Sequence, residues 1–366
     1  MSFPASAAFV WLVVAQVAAP TKPAQESRPP TLKPAAEVRA AFRSLLDRPR
    51  VPLDVTHDPS RSETRDGLVI EGLSFATEKR PDGRLERVPA LVVKAVAGSR
   101  GRRPAVIVLH GTGGSKDGMR DWLDALAQRG VGAVAIDARY HGDRSGGAGG
   151  AAAYMAAITR AWRTPAGRAQ EHPFYYDTCW DLWRTVDYLQ TREDVDPARI
   201  GMLGVSMGGI ETWLAASVDD RVAVAVPAIG VQSFRWSLEH GAWQGRANTI
   251  KAPHEAAAHD LGEPGINARV CRELWRKVVP GILDDFDGPS MLRLFSPRPL
   301  LILNGERDPN CPIEGARVAF AAAESAYREA GAVDRLRVSV AGGVGHAVTS
   351  AQHRTALEWL ERWLRP

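Results

Sequence analysis

The ten residues from Ile200 to Gly209 read Ile-Gly-Met-Leu-Gly-Val-Ser-Met-Gly-Gly, and they restrict the fold more than any other stretch of the chain. An apolar strand runs directly into Gly204-Val205-Ser206-Met207-Gly208, of the form G-x-S-x-G, and a helical pattern carrying Trp213 and Leu214 follows at once. A serine on a sharp strand-to-helix turn needs nearly side-chain-free residues two before and two after it, so that the backbones can pass. The turn lifts the Ser206 hydroxyl off the strand and sets it at a helix N-terminus, where backbone N–H groups face any developing oxyanion. With 34 glycines the chain could produce the five-residue pattern by chance. The strand before it and the helix after it make it a nucleophile elbow.

An elbow of this kind belongs to a mostly parallel sheet covered on both faces, and from Ala105 onward strands do alternate with helices. The first strand, Ala105 to Leu109, ends in His110-Gly111-Thr112-Gly113-Gly114. A helix with Trp122, Leu123 and Leu126 on one face follows, then a strand from Val131 to Ile136 that ends at Asp137-Ala138-Arg139-Tyr140-His141-Gly142. A Gly/Ala-rich link is expected next, before a helix carrying Cys179, Leu182, Trp183, Val186 and Leu189. After the elbow, Val222 to Val226 is a buried strand, and residues 232–293 read as an inserted helical cap with Trp236, Trp243 and Trp275. The core resumes with the strand Leu300 to Leu303, a helix from about Glu314 to Ala330, the strand Leu336 to Val340 and a final helix bearing Leu357, Leu360, Trp363 and Leu364. Ahead of this core, Ala35 to Asp47 reads as a short packing helix, and Leu68 to Val96 as an antiparallel hairpin turning at Pro81-Asp82-Gly83.

The N-terminus differs in character. Residues 7–19 form an apolar run too short to span a bilayer and suited to a signal-peptide core, and residues 20–34 read as a disordered leader. The expectation is a secreted or periplasmic protein whose domain covers residues 35–366, with an uncleaved N-terminal anchor as the rival. A net charge of +4 with scattered arginines argues against a nucleic-acid partner. Cys179, Cys271 and Cys311 show no C-x-x-C spacing, so neither a disulfide framework nor a structural zinc site is expected. No metal and no cofactor is anticipated.

A serine nucleophile needs a base within hydrogen-bond reach and a carboxylate that orients the base. Behind an elbow the order along the chain is serine, then acid, then histidine. Asp308 follows the strand Leu300 to Leu303 within Asn304-Gly305-Glu306-Arg307-Asp308-Pro309, and His346 follows the next strand within Gly342-Gly343-Val344-Gly345-His346. Glu306 competes for the acid role; the punctuation of Pro309 and Pro312 favours Asp308. The oxyanion hole would use the backbone N–H of Met207 and that of Thr112, with His110 bracing the loop that carries Thr112. His141, His240, His254 and His259 read as surface or locally bonded histidines, and Cys311 as a small buried hydrophobe.

Together, His110 to Gly114, Asp137 to Gly142, the elbow, Asn304 to Pro312 and Gly345-His346 resemble the α/β-hydrolase superfamily. More narrowly they resemble its dienelactone-hydrolase-like and prolyl-oligopeptidase-like branch, which includes acetyl xylan esterases. The resemblance covers roughly residues 65 to 365 and implies Ser206, Asp308 and His346 as the triad. Dienelactone hydrolases proper carry a cysteine nucleophile where this chain has Ser206. The resemblance therefore implies a serine esterase acting on a small-molecule or carbohydrate ester. The alternatives are a peptidase, for which the chain has no room for a gating propeller, and a non-catalytic binding protein on the same fold. Trp236, nearest the cap's point of insertion, reads either as a wall of the acyl pocket or as an anchor of the cap.

Overall fold

The computed structural model describes residues 32–96 and 101–365. The expected signal segment and nearly all of the expected leader lie outside the described residues. Nine strands form one sheet: β1 (Thr56–Arg65), β2 (Leu68–Lys79), β3 (Leu85–Ala95), β4 (Arg103–Leu109), β5 (Gly132–Ile136), β6 (Val195–Val205), β7 (Val222–Ala228), β8 (Leu300–Gly305) and β9 (Leu336–Ala341). Their spatial order is β1-β2-β3-β5-β4-β6-β7-β8-β9. The hairpin β2–β3 joins the rest through an antiparallel β3–β5 pairing, and every pairing from β5 across to β9 is parallel.

The helices are α1 (Ala35–Leu46), α2 (Arg120–Ala127), α3 (Ala152–Arg163), α4 (Tyr176–Thr191), α5 (Met207–Val218), α6 (Phe234–Glu239), α7 (Gln244–Thr249), α8 (Lys251–Asp260), α9 (Ala268–Val278), α10 (Gly288–Leu292), α11 (Ile313–Glu329) and α12 (Ser350–Leu364). Strand β4 shows why the central strands read as unbroken apolar runs. Its Ala105, Ile107 and Leu109 pack with Phe42 of α1, Leu182 of α4 and Ile210 of α5, while Val106 and Val108 pack on the other face with Leu123 of α2 and Leu360 of α12. A strand buried on both faces has no position left for a polar side chain.

Two elements depart from the sequence-based expectation. Strand β1 contains no buried residue and pairs only with β2, with a register shift between Asp58 and Glu63. A polar edge strand offers no alternation to read, and its charges guard the edge against pairing with another chain. The second departure is α3, which occupies most of the expected Gly/Ala-rich link. It buries Tyr154, Ala157, Ile158 and Ala161, one face at helical spacing, against α8 and α9. The run Gly146 to Gly150 ends just before it, and the alanines that dilute its apolar stripe are themselves strong helix formers.

Between β7 and β8 the described chain is helical and contains no strand. Phe234 of α6 meets Trp275 of α9 edge to face at 5.5 Å, and both belong to the same apolar cluster as α4 and α5. The topology also fixes where a site can form. From β4 the chain first moves to β5 on one side and then crosses to β6 on the other, and the crevice outside the strand ends at such a reversal is where ligands bind in open α/β sheets. His110 directly follows β4, Ser206 directly follows β6, and the loops after β8 and β9 carry Asp308 and His346.

Candidate active site

Ser206 sits at φ 59° and ψ −112°, in the left-handed half of the backbone map. A non-glycine residue held there costs on the order of 1–3 kcal/mol and persists only where its surroundings over-determine it. Here they do. The Ser206 N–H donates to Ala228 O at 2.8 Å, and the N–H of Gly208 donates to His110 O at 3.1 Å. A Cβ added to Gly204 would lie 2.1 Å from Gly208 O, and one added to Gly208 would lie 2.6 Å from Leu109 Cβ. Those two distances are the physical content of the G-x-S-x-G spacing: strand and helix cross too closely at both glycines for any side chain.

The Ser206 hydroxyl lies 2.7 Å from His346 Nε2, and His346 Nδ1 lies 2.7 Å from Asp308 Oδ2. With Nδ1–H donating to the carboxylate, Nε2 is the ring's acceptor and the serine O–H is its donor. The other oxygen, Asp308 Oδ1, accepts the N–H groups of Asn310 at 2.8 Å and Cys311 at 3.2 Å. Asp308 is buried, while the His346 side chain keeps 24% of its surface. The carboxylate is thus shielded and the imidazole is partly open to solvent.

Met207 is the first residue of α5, so its N–H belongs to the end of the helix that has no intrahelical acceptor. Gly111 comes close on the other side: a Cβ built on it would be 3.4 Å from Ser206 Cβ, and Thr112 follows it in the loop after β4. His110 holds that loop. Its Nε2 accepts the Ala138 N–H at 3.1 Å, so Nδ1 carries the proton and donates to Gly111 O at 2.8 Å, while its carbonyl takes the Gly208 N–H. Burial pushes the His110 imidazole below its ordinary range and keeps it neutral, as those two bonds require.

Residues 90–260 match the model of the Dienelactone hydrolase family. YtaP of Bacillus subtilis (strain 168) is 29% identical over 337 residues, which cover 88% of this chain and 97% of that protein. Among solved structures, the acetyl xylan esterase from Paenibacillus sp. R4 superposes with a TM-score of 0.60 at 20% identity, covering 90% of this chain and 93% of its own. Acetyl xylan esterase 1 from Thermoanaerobacterium sp. JW/SL YS485 gives a TM-score of 0.61 at 18% identity, covering 93% and 96%. The chain has the α/β-hydrolase fold.

Within this fold the remaining candidates fall into place by their partners. Glu306 is exposed and accepts the Gly343 N–H at 2.6 Å, so it ties down the loop that leads to His346 while Asp308 faces the imidazole. Trp236 is half-buried on α6, stacks on His240 at 4.2 Å, and its Cε3 lies 2.9 Å from where a Cβ on Gly315 would be. It therefore sits where α6 meets the first turn of α11, the helix that leaves the acid loop. His254 is buried between Ile250 O and the Trp275 indole N–H, and His141 is buried with Nδ1 on Arg139 O; burial pushes each down to about 4. His240 and His259 are exposed. All three cysteines are free and buried. Among the described residues no group of three or more His, Cys, Asp or Glu is arranged to hold a metal ion, and no helix is long and apolar enough to cross a membrane. Sequence reasoning missed the contacts of Gln232 and Arg246, whose side chains reach the loop after β8 from the helical stretch between β7 and β8. No catalytic motif contains either of them.

Proposed function

We propose that Ser206, His346 and Asp308 are the catalytic triad of a carboxylic ester hydrolase that works through an acyl-enzyme. The observation that carries this reading is the relay of two 2.7 Å hydrogen bonds from Ser206 Oγ through His346 to Asp308. Ser206 Oγ attacks the ester carbonyl as His346 Nε2 takes its proton, and the carbonyl π electrons move onto oxygen. The N–H groups of Met207 and Thr112 receive that oxyanion. Its collapse expels the alcohol, which leaves with the proton from His346, and water then repeats the sequence to release the acid and restore the serine. Asp308 holds the imidazole in the tautomer that both halves need. The likeness to acetyl xylan esterases supports acetylated carbohydrate, or another small ester, as the substrate class, and the half-buried Trp236 is proposed as a wall of the acyl pocket. The apolar run at residues 7–19 supports export.

An organophosphonate probe, which reacts only with an activated serine, tests the assignment directly. The wild-type protein should label at Ser206, and Ser206→Ala should lose labelling together with about 10⁴-fold or more of the kcat for p-nitrophenyl esters. Labelling that survives the substitution would overturn the nucleophile. The same panel, run beside an acetylated xylo-oligosaccharide and a proline amide, reads the substrate class; turnover of the amide in preference to the esters would point to a peptidase instead.

A further inference from the structure

Arg246, on the short cap helix α7, is one of the largest fully buried side chains in the protein, and among the described residues no carboxylate forms an ion pair with it. A buried guanidinium costs free energy unless its donors are well used. Those of Arg246 go to the acid loop and to a cap residue beside it. Nη2 donates to Asn310 O at 3.0 Å and to Cys311 Sγ at 3.2 Å. With the Gln232 amide oriented to satisfy its neighbours, its oxygen accepts from Arg246 Nε at 3.0 Å and its nitrogen donates to Asn310 O at 3.1 Å. The ring of Phe234 lies 5.8 Å from the guanidinium carbon.

A second observation points the same way. Gly245, the residue before Arg246, lies so close to this loop that a Cβ on it would be 2.0 Å from Pro309 O and 2.9 Å from Asn310 N. The helix backbone presses on the loop at Gly245, and Arg246 fastens it from the side. The fastened residues are the ones that aim the acid: Asn310 and Cys311 donate their N–H groups to Asp308 Oδ1, which leaves Oδ2 for His346. Cys311 carries the contact onward, since its thiol donates to Ile229 O at 3.4 Å, next to the Ala228 carbonyl that holds the Ser206 N–H.

We propose that Arg246 is a positioning residue for the triad: from the helical stretch between β7 and β8 it fixes the loop Asp308–Cys311 so that the carboxylate stays turned to His346. The proposal rests on the triad reading above. Tyr154, Tyr175 and Cys311 also face the guanidinium; burial raises all three, the thiol to about 12.

The test compares Arg246→Met and Arg246→Lys with Ser206→Ala in the full chain, measuring kcat and KM on p-nitrophenyl acetate, with circular dichroism and Tm to check folding. Arg246→Met should lower kcat by about 10²-fold with KM within about threefold, as expected for a group that acts on the transition state through the triad. Arg246→Lys keeps the charge but not the planar fork, so it should recover part of that loss and stay about tenfold below wild type in kcat. A folded Arg246→Met with wild-type kcat overturns the proposal. Should that variant fail to fold, wild-type kcat in Arg246→Lys overturns it equally. Activity remaining in Ser206→Ala would sink the triad reading itself, whereas an inactive Ser206→Ala beside a fully active Arg246→Met would sink only the role of Arg246.

Discussion

Asp308 and Glu306 stand two residues apart on one loop, and the fold gives them different work. Asp308 is buried, takes two backbone N–H groups on one oxygen and presents the other to His346 at 2.7 Å. Glu306 is exposed and caps the Gly343 N–H. Losing the orienting acid of a triad costs about 10⁴-fold in kcat even when the geometry survives. Asp308→Asn should therefore show a loss of about that size in kcat at unaltered Tm, while Glu306→Gln should stay within about tenfold, since only a loop contact at an exposed residue is weakened. Steady-state kinetics on one nitrophenyl ester decides it, and the reverse ranking would reassign the acid. The meeting of Ser206, Asp308 and His346 was legible in the sequence, because a strand-turn-helix elbow and two polar strand-end loops are read within a few residues. Arg246 was not legible. The residue whose carbonyl it binds, Asn310, lies 64 positions away, and only the closed fold brings them together.

At the scale of elements, legibility follows burial. Strands β4, β6, β7 and β8, covered on both faces, read as apolar runs from the sequence, whereas the polar β1 carried no signal and α3 was masked by its alanines. The helices between β7 and β8 were read as a cap from the absence of strand pattern, but their seams were beyond sequence reasoning. One such seam holds Trp236. Its ring meets Gly315 at the start of α11 and stacks on His240, yet it stays half-buried. As a pocket wall, Trp236→Ala should change the ratio of kcat/KM between acetyl and longer acyl esters by about 10-fold or more. Its Tm should fall by only a few degrees, since a fully buried tryptophan would cost about 3–5 kcal/mol and this one is not fully buried. Chain-length profiles and a melting curve of the same preparation test this. A strongly destabilised variant with the wild-type chain-length preference would make Trp236 a cap anchor instead.

Across the whole molecule, two buried carboxyls on neighbouring helices respond to pH in opposite directions. Asp181 of α4 binds Arg139 at 2.7 and 3.0 Å and Arg144 at 2.8 Å, and those arginines also pair with Glu78 of β2 and Glu86 of β3. This network ties the hairpin, the loop after β5 and α4 together. Burial alone would raise the Asp181 carboxyl, but Arg139 and Arg144 hold it well below its ordinary 3.8, so its stabilisation is present above that value and is lost as pH falls. Glu211 of α5, the helix that opens just after Ser206, forms no such ion pair among the described residues. It is 1% exposed, and burial, with Asp181 adding to it, pushes its carboxyl well above its ordinary 4.5. The folded state therefore keeps Glu211 protonated where the unfolded chain has released the proton. Above pH 4.5 folding must take up that proton, and this contribution to stability declines as pH rises. Gln has nearly the shape of protonated Glu and cannot ionise. Glu211→Gln should thus match the wild type in Tm near pH 4 and exceed it by a margin that widens as pH rises above 4.5. Subtracting the two melting curves cancels every other titrating group, Asp181 included, so the difference reports Glu211 alone. A gap that stays constant with pH, or one that closes as pH rises, would mean that Glu211 is ionised in the folded protein.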